Sequence, residues 1–460
     1  MTPTAEAVVA GAGIAGAAAA YFLAVEHGLS DICIVERDEP LSLTSDKSTE
    51  CYRNWWLGPG TAMVDFANRS IDLIERLTEH SGDRFNLSRR GYLFLTAEET
   101  TAKLFEQQGK AAQTLGVGPL RRHESAAHHC YVPHQASGWE DMPTGSDLLL
   151  DPVLIQQHFP GISPSAIAAL HVRRCGWLRA QQLGAYFLEQ ARARGARLIR
   201  AKVSGIDTRG GGVRAVRIDE PGGTSQTIHT PRVILAPGPY LPEMLEQLKV
   251  DLPVACECHV KIALKDSKGA LPADAPLLLW SDPVQLPWTD EEKTLLAADA
   301  ATQYLLETFP AGVHTRPEGS AGNHYALALW TYHTPLLAPR FPLQWDPHLP
   351  EIIVRGLSAM LPAMSAYFAP LPKMTVDGGY YVKTPENRPL IGPLPIEGVF
   401  VNAAYSGFGI MTACAGGELL AAHVTQSPLP HYSDALAPAR FDDPAYLEGC
   451  ADAAAASGQM

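Results

Sequence analysis

The chain has 460 residues, enough to bury a large core and to divide into two domains or more. Hydrophobic residues make up 46% and charged residues 18%, the balance of a globular protein and not of a disordered or fibrous one. The formal net charge of −13, with no cluster of Lys and Arg, argues against a nucleic-acid-binding face.

From the N-terminus, Ala7 to Val25 is an uncharged apolar run about as long as a membrane span. It lacks the basic segment of a signal peptide, and Gly11, Gly13 and Gly16 divide it into a strand and a helix. Ala7–Ala10 reads as a short apolar strand, followed at once by Gly11-Ala-Gly13-Ile14-Ala15-Gly16. Ala17 to Glu26 continues as an alanine-rich helix, and Asp31 to Glu36 is a second strand ending in an acid. This is the dinucleotide fingerprint in its full strand–turn–helix–strand–acid context. Gly11 permits the tight turn, Gly13 lets backbone approach a pyrophosphate, and Gly16 lets the helix pack on the sheet. The helix start offers N–H groups and a positive dipole end to phosphate. Glu36 is placed to accept ribose hydroxyls. NAD and FAD share this unit, so the fingerprint leaves the choice open.

Helices are expected over Met63–Glu79 and Glu98–Leu115, with a strand over Gly91–Thr96 between them. Gly118 to Gly161 shows no clear period. Leu183–Gly195 reads as a helix, Arg197–Ile206 and Val213–Ile218 as strands, and Arg232–Gly238 as an apolar strand ending on glycine. Residues 250–375, rich in Pro and Trp, suit a domain on an antiparallel sheet. Val399–Tyr405, the turn Ser406-Gly407-Phe408-Gly409 and a helix Ile410–Val424 form a second strand–glycine turn–helix unit. The expected fold is α/β with α+β: a discontinuous Rossmann-type domain of residues 1–90, 150–245 and 376–435, an antiparallel-sheet substrate domain of 91–149 and 246–375, and a surface tail of 436–460.

The eight cysteines, Cys33, Cys51, Cys130, Cys175, Cys256, Cys258, Cys414 and Cys450, form no disulfide framework. Cys256-x-Cys258-His259 and His128-His129-Cys130 each lack a second ligand pair, so no metal site is expected. Reduced thiols in a cytoplasmic protein without a membrane span are the expectation.

Four segments together resemble the glycine/D-amino acid oxidase superfamily, in its sarcosine oxidase and dimethylglycine dehydrogenase branches. They are GAGIAG with Glu36-Arg37, Ser48-Thr-Glu-Cys-Tyr-Arg53, Leu235-Ala-Pro-Gly238, and Glu386–Gly392 before Ser406–Gly409. The resemblance implies FAD, a two-domain fold and oxidation of C–N bonds in amino acids or amines. By position it implies that Gly11, Gly13, Ile14, Ala15, Gly16, Glu36 and Arg37 hold the ADP half. It places Ser48 and Thr49 along the pyrophosphate and flavin and Val203 and Gly238 at the adenine side. Gly407, Phe408, Gly409, Ile410 and Met411 are placed beside the flavin ring.

The chain departs from the family at four positions. Gly379 stands where one branch tethers its flavin through cysteine, and Cys51 where the other uses histidine; non-covalent FAD is expected, with a Cys51 thioether as the alternative. Met411 replaces a carboxylate-binding lysine, leaving Arg53 as the carboxylate ligand. Leu329 replaces the lysine that assists oxygen, so oxygen or another electron acceptor remains open. His333 and Tyr381 match family active-site positions and are the expected groups for positioning or deprotonating the amine and for hydrogen bonding to substrate. Trp55, Trp330 and Tyr332 are expected to wall the substrate pocket, while Trp56 and Tyr405 are expected in the core. A hydroxy-acid dehydrogenase and a non-catalytic flavin protein are the alternatives.

Overall fold

The computed structural model describes residues 3–320 and 322–456. Its first layer is a six-stranded sheet in the order Leu390–Pro393, Val399–Ala403, Val233–Leu235, Ala7–Ala10, Ile32–Glu36, Arg197–Arg200. All neighbours are parallel except the antiparallel edge Leu390–Pro393. The inner strands read as continuous apolar runs because both faces are covered. On one face lie the helices Ile14–Tyr21, Ala180–Ala193 and Gly409–Thr425. On the other lies an antiparallel sheet of Lys202–Arg209, Gly212–Asp219 and Ser225–His229, whose Val213, Val216 and Ile218 pack with Val8 and Val233.

A nine-stranded sheet forms the second domain, in the order Thr375–Lys383, Ala255–Lys265, Asn323–Leu329, His314–Ser320, Leu277–Trp280, Tyr92–Thr96, Ala168–Val172, Ser146–Leu149, Leu120–His123. Side chains alternate across it. Tyr92, Leu170 and Leu279 join the core shared with the first domain, whereas Leu93, Ala169 and Leu278 join a separate core under the helix Leu349–Leu357.

The expected helices are observed as Ala62–Ser81, Glu99–Thr114, Ala180–Ala193 and Gly409–Thr425. Four differences have physical reasons. The expected strand Arg197–Ile206 is two strands that part at buried Ala201 and join different sheets. Ala168–Val172 and Thr375–Lys383 belong to the nine-stranded sheet, across the expected domain boundaries. The aperiodic stretch 118–161 contains the strands Leu120–His123 and Ser146–Leu149 and the helix Pro152–His158. Asp151 caps that helix by accepting from the Val153 N–H at 2.9 Å, with Pro152 in its first turn.

The fourth difference is the segment after 435. It is no loose surface tail: Arg440 and Glu386 form an ion pair with side chains 4% and 2% exposed, Nη2 to Oε1 2.8 Å. The Arg440 Nη2–H also donates to the Arg388 carbonyl at 3.1 Å. Removing one partner of a buried ion pair strands the other charge. Arg440→Met is therefore expected to cost about 3–5 kcal/mol, seen as a lower urea midpoint with unchanged slope.

Candidate active site

One elongated cavity follows the carboxyl ends of the parallel strands, where open α/β sheets place their ligands. Gly11, Gly13, Ile14 and Ala15 line one wall, with Glu36 and Arg37 at one end. Ser48, Val203 and Gly238 lie along its length, and Tyr381, Gly407, Gly409 and Ile410 close the far end.

The turn residues show why their identities are required. Gly11 has φ +107°, and a Cβ there would strike the Ala236 carbonyl oxygen. A Cβ on Gly16 would strike the Gly11 carbonyl, so Gly16 sets helix-to-strand packing and does not line the cavity. Gly13 differs: only Ser45 Oγ, at 3.2 Å, lies near its would-be Cβ. Both helix starts facing the cavity, at Ile14 and at Gly409, lack a side-chain cap and an acidic first turn, so their positive ends remain uncompensated by carboxylates. At the far end Ala404, Ser406 and Gly407 all take positive φ (55°, 50° and 88°), a left-handed backbone that non-glycine residues seldom adopt.

Glu36 holds the fingerprint loop closed, accepting the Ala12 N–H at 2.7 Å and the Asp38 N–H at 3.0 Å. Arg37 donates to Tyr240 Oη at 2.5 Å and lies 4.2 Å over the same ring. Ser45 Oγ accepts the Ile14 N–H at 3.0 Å, and Thr44 Oγ1 donates to the Tyr380 carbonyl at 2.9 Å. Tyr240, Thr44 and Ser45 were not singled out in the sequence. Pro237-Gly238-Pro239 before Tyr240 is a turn signal that the reading of 232–238 as a strand ending on glycine does not use, and the loop 42–48 carries no periodic signal.

The glycine turn gathers two expected substrate residues. A Cβ on Gly407 would lie 2.5 Å from the Tyr381 ring, so that ring packs directly on the backbone. Arg53, 3% exposed, holds its guanidinium 5.5 Å from the Phe408 ring centroid and 5.3 Å from that of Trp56. Burial lowers the Arg53 pKa and raises that of Tyr381 to about 12. Trp55, expected in the pocket, packs instead in the core near Phe94, with ring centroids 6.5 Å apart, whereas Tyr405, expected in the core, also lines the cavity and donates to Asn402 Oδ1 at 2.5 Å. Arg53, Phe408, Thr49 and Met411 sit behind the cavity wall: Arg53 is reached through the Phe408 and Trp56 rings, the Thr49 carbonyl accepts from Arg316 Nε at 2.7 Å, and Met411 is buried in its helix.

Three expected pocket residues lie elsewhere. Trp330 and Tyr332 belong to the core on the opposite side of the nine-stranded sheet, where Trp330 donates to the Pro310 carbonyl at 3.0 Å and Tyr332 to Asp346 at 3.1 Å. A one-residue change of strand parity moves a side chain to the other face, and no sequence pattern fixed that parity near 330. His333 is exposed in the segment beyond that strand and does not line the cavity.

In their place the sheet presents His259, His314 and Lys261 on its inner face. His259 stacks on Tyr381 with centroids 3.9 Å apart and planes at 16°. His314 is 6% exposed, and burial lowers its pKa to about 4, with Arg53 and His259 acting in the same direction. Lys261, paired in register with Leu329, donates from Nζ to the Ser48 carbonyl at 2.7 Å. Cys256 and Cys258 point away from His259, into another core. Among the described residues no group of three His, Cys, Asp or Glu side chains is placed to hold a metal, and no helix is long and apolar enough to cross a membrane.

The chain matches the family model described as FAD dependent oxidoreductase, DAO, over residues 6–423. It belongs to that family. No curated protein matches the sequence, but solved structures share the fold. L-proline dehydrogenase from P. horikoshii is similar at TM-score 0.71 and 19% identity, covering 96% of this chain and 99% of that one. L-amino acid deaminase from Proteus vulgaris is similar at 0.69 and 17%, covering 96% and 98%. Glycine oxidase from Bacillus cereus is similar at 0.68 and 16%, covering 94% and 98%.

The lining fits FAD: acid and Arg37 at one end, a glycine floor and two helix starts with no acid in their first turns, and a strained turn backed by aromatic rings at the other. Gly13→Ala adds a Cβ to the floor that meets no backbone, only Ser45 Oγ at 3.2 Å, and is expected to weaken FAD binding about 10-fold, or about 1.4 kcal/mol. Flavin fluorescence titration measures this, and an unchanged far-UV circular dichroism spectrum shows that the fold is kept.

Proposed function

We propose that this flavoenzyme oxidises the C–N bond of an amino acid or a carboxylate-bearing amine, with the FAD held non-covalently. The observation that carries this reading is the pairing of Tyr381 on Gly407 with Arg53 over Phe408, two recognition groups on consecutive residues of one turn. A buried guanidinium offers a carboxylate a bidentate, charge-assisted contact. The Tyr381 phenol, kept neutral by burial, offers a hydrogen bond next to it.

FAD held by the fingerprint glycines, Glu36 and Arg37 would supply the oxidising power, as a hydride acceptor. The protein's own part is orientation and electrostatics. Arg53 anchors the carboxylate, Tyr381 orients the amine end, and the helix start at Gly409 presents a positive dipole end to the cavity. His333, exposed and off the cavity, is not in place for the proton transfer expected of it.

Non-covalent attachment is supported by the local chemistry of the two possible tethers. Gly379 has no side chain, and a Cβ there would already sit 3.1 Å from Thr44 Cα. The Cys51 thiol donates to the Thr49 carbonyl at 3.2 Å, and burial raises its pKa, which disfavours the reactive thiolate.

Anaerobic bleaching of the purified holoenzyme tests the reading. Amino acids are expected to bleach the flavin, and hydroxy acids are not; the reverse order would replace amine oxidation with alcohol oxidation. Arg53→Met is expected to raise KM for an amino acid by roughly 10–100-fold, the weight of one charged contact, and to leave the matching decarboxylated amine unaffected. Intact-protein mass spectrometry is expected to show no flavin-sized adduct.

A further inference from the structure

The inner face of the nine-stranded sheet carries a half-buried ionic relay, with His259 buried at its centre, that reaches the cavity through one ring. Glu257, His259 and Lys261 alternate on one strand, and Tyr381 and Lys383 stand on its neighbour, with Glu257 paired in register to Tyr381. Lys383 Nζ donates to both Glu257 carboxylate oxygens at 3.0 Å. His259 Nε2 meets Glu257 Oε2 at 3.1 Å. Burial acts to raise the Glu257 pKa, but hydrogen bonds from His259 and Lys383 hold it below its ordinary value. An ionised carboxylate only accepts, so Nε2 carries the hydrogen and Nδ1 the lone pair. The ring so fixed lies flat on Tyr381, which lines the cavity and packs on Gly407.

We propose that His259, held by Glu257 and stacked on Tyr381, is a positioning residue that sets the stance of the Tyr381 phenol and, through its own charge, the reception of a cationic amine. The second half rests on the amine reading above; the first does not. Other charged or titratable groups face this position from the surrounding elements. They are Lys261 on the same strand, Asp377 and Lys383 on the strand beside it, Lys47 in the loop that pairs with Asp377 at 3.2 Å, His314 on the sheet, and Arg53. Glu257 offsets Lys383, and Asp46 and Asp377 offset Lys47, so a protonated His259 adds one positive charge beside Tyr381 to an otherwise largely balanced surrounding. A substrate ammonium is then repelled, and binding weakens as the imidazole gains its proton.

The direction of control follows from the partners. Desolvation lowers the His259 pKa, Glu257 raises it through hydrogen bond and charge, and Lys383 lowers it. Neutralising Glu257 therefore moves the transition to lower pH, and neutralising Lys383 moves it to higher pH.

The test is carbon NMR of the holoenzyme with ζ-13C tyrosine, the Tyr381 signal being assigned by its loss in Tyr381→Phe. A single pH step below the ordinary histidine value of about 6.5 is expected in that signal. E257Q shifts the step down, K383M shifts it up, and H259F, which keeps a stacked ring, abolishes it. A Tyr381 signal that stays flat, or a step that survives in H259F, overturns the proposal whatever the substrate is. In anaerobic bleaching by an amino acid, KM is expected to rise about tenfold per pH unit below the transition, with kcat little changed, and H259F to lose this limb. Persistence of the limb in H259F overturns the role in amine reception. Failure of every amine to bleach the wild-type flavin instead removes the amine reading, and the NMR step still decides the positioning role.

Discussion

Glycine lets two helix starts come together, and the rest of the molecule depends on that contact. The helix Ile14–Tyr21 rests on the first strand because Gly16 presents no Cβ to the Gly11 carbonyl. The helix Gly409–Thr425 lies against it because Gly417 presents none to Ala18 and Phe22, whose atoms would stand 2.8–2.9 Å from one. Asn402 ties the two units, donating from Nδ2 to the Ala15 carbonyl at 2.9 Å while accepting from Tyr405. Residues nearly four hundred positions apart are thereby fixed at the spacing of backbone packing, and the cavity lies where their positive ends open. Because interiors are close-packed, this spacing tolerates little adjustment.

The second domain is joined to the first by buried cations as well as apolar contact. Arg316, 1% exposed, donates to the Thr49 carbonyl, approaches Glu50 at 3.4 Å, pairs with Glu318 and lies 5.1 Å over the Trp177 ring. Lys261 grips the adjacent Ser48 carbonyl. The segment 48–50 thus becomes a rigid seam between the domains. Such groups are desolvated at a cost that several simultaneous partners offset. Arg316 offers five donors in one plane, which suits it to this position.

Much of the first domain was legible in the sequence because its constraints are local. The fingerprint glycines, the apolar strands and the helix at 409–425 obey short-range rules of turn, period and capping. Other parts escaped for equally specific reasons. Leu120–His123 reads as polar because it is an edge strand whose Arg121 reaches Asp147 at 2.7 Å. The break at Ala201 leaves no mark, since both flanking strands are strand-like. Arg440 looks like a surface residue until Glu386, fifty-four positions earlier, is brought to it.

By itself the sequence determined that a dinucleotide-type βαβ unit opens the chain, that a second glycine turn closes it, and that FAD chemistry of the amine-oxidising kind is the expectation its motifs share with a family. These follow from residues close in the chain, where each backbone requirement selects its residue type. Only the tertiary structure decided which side chains meet at the far end of the cavity. Strand parity sent Trp330 and Tyr332 to the outer core and brought His259, His314 and Lys261 to the inner face. Parity is a property of register between strands distant in sequence, and a slip of one residue inverts it. No local pattern records that choice; the pairing of the sheet makes it.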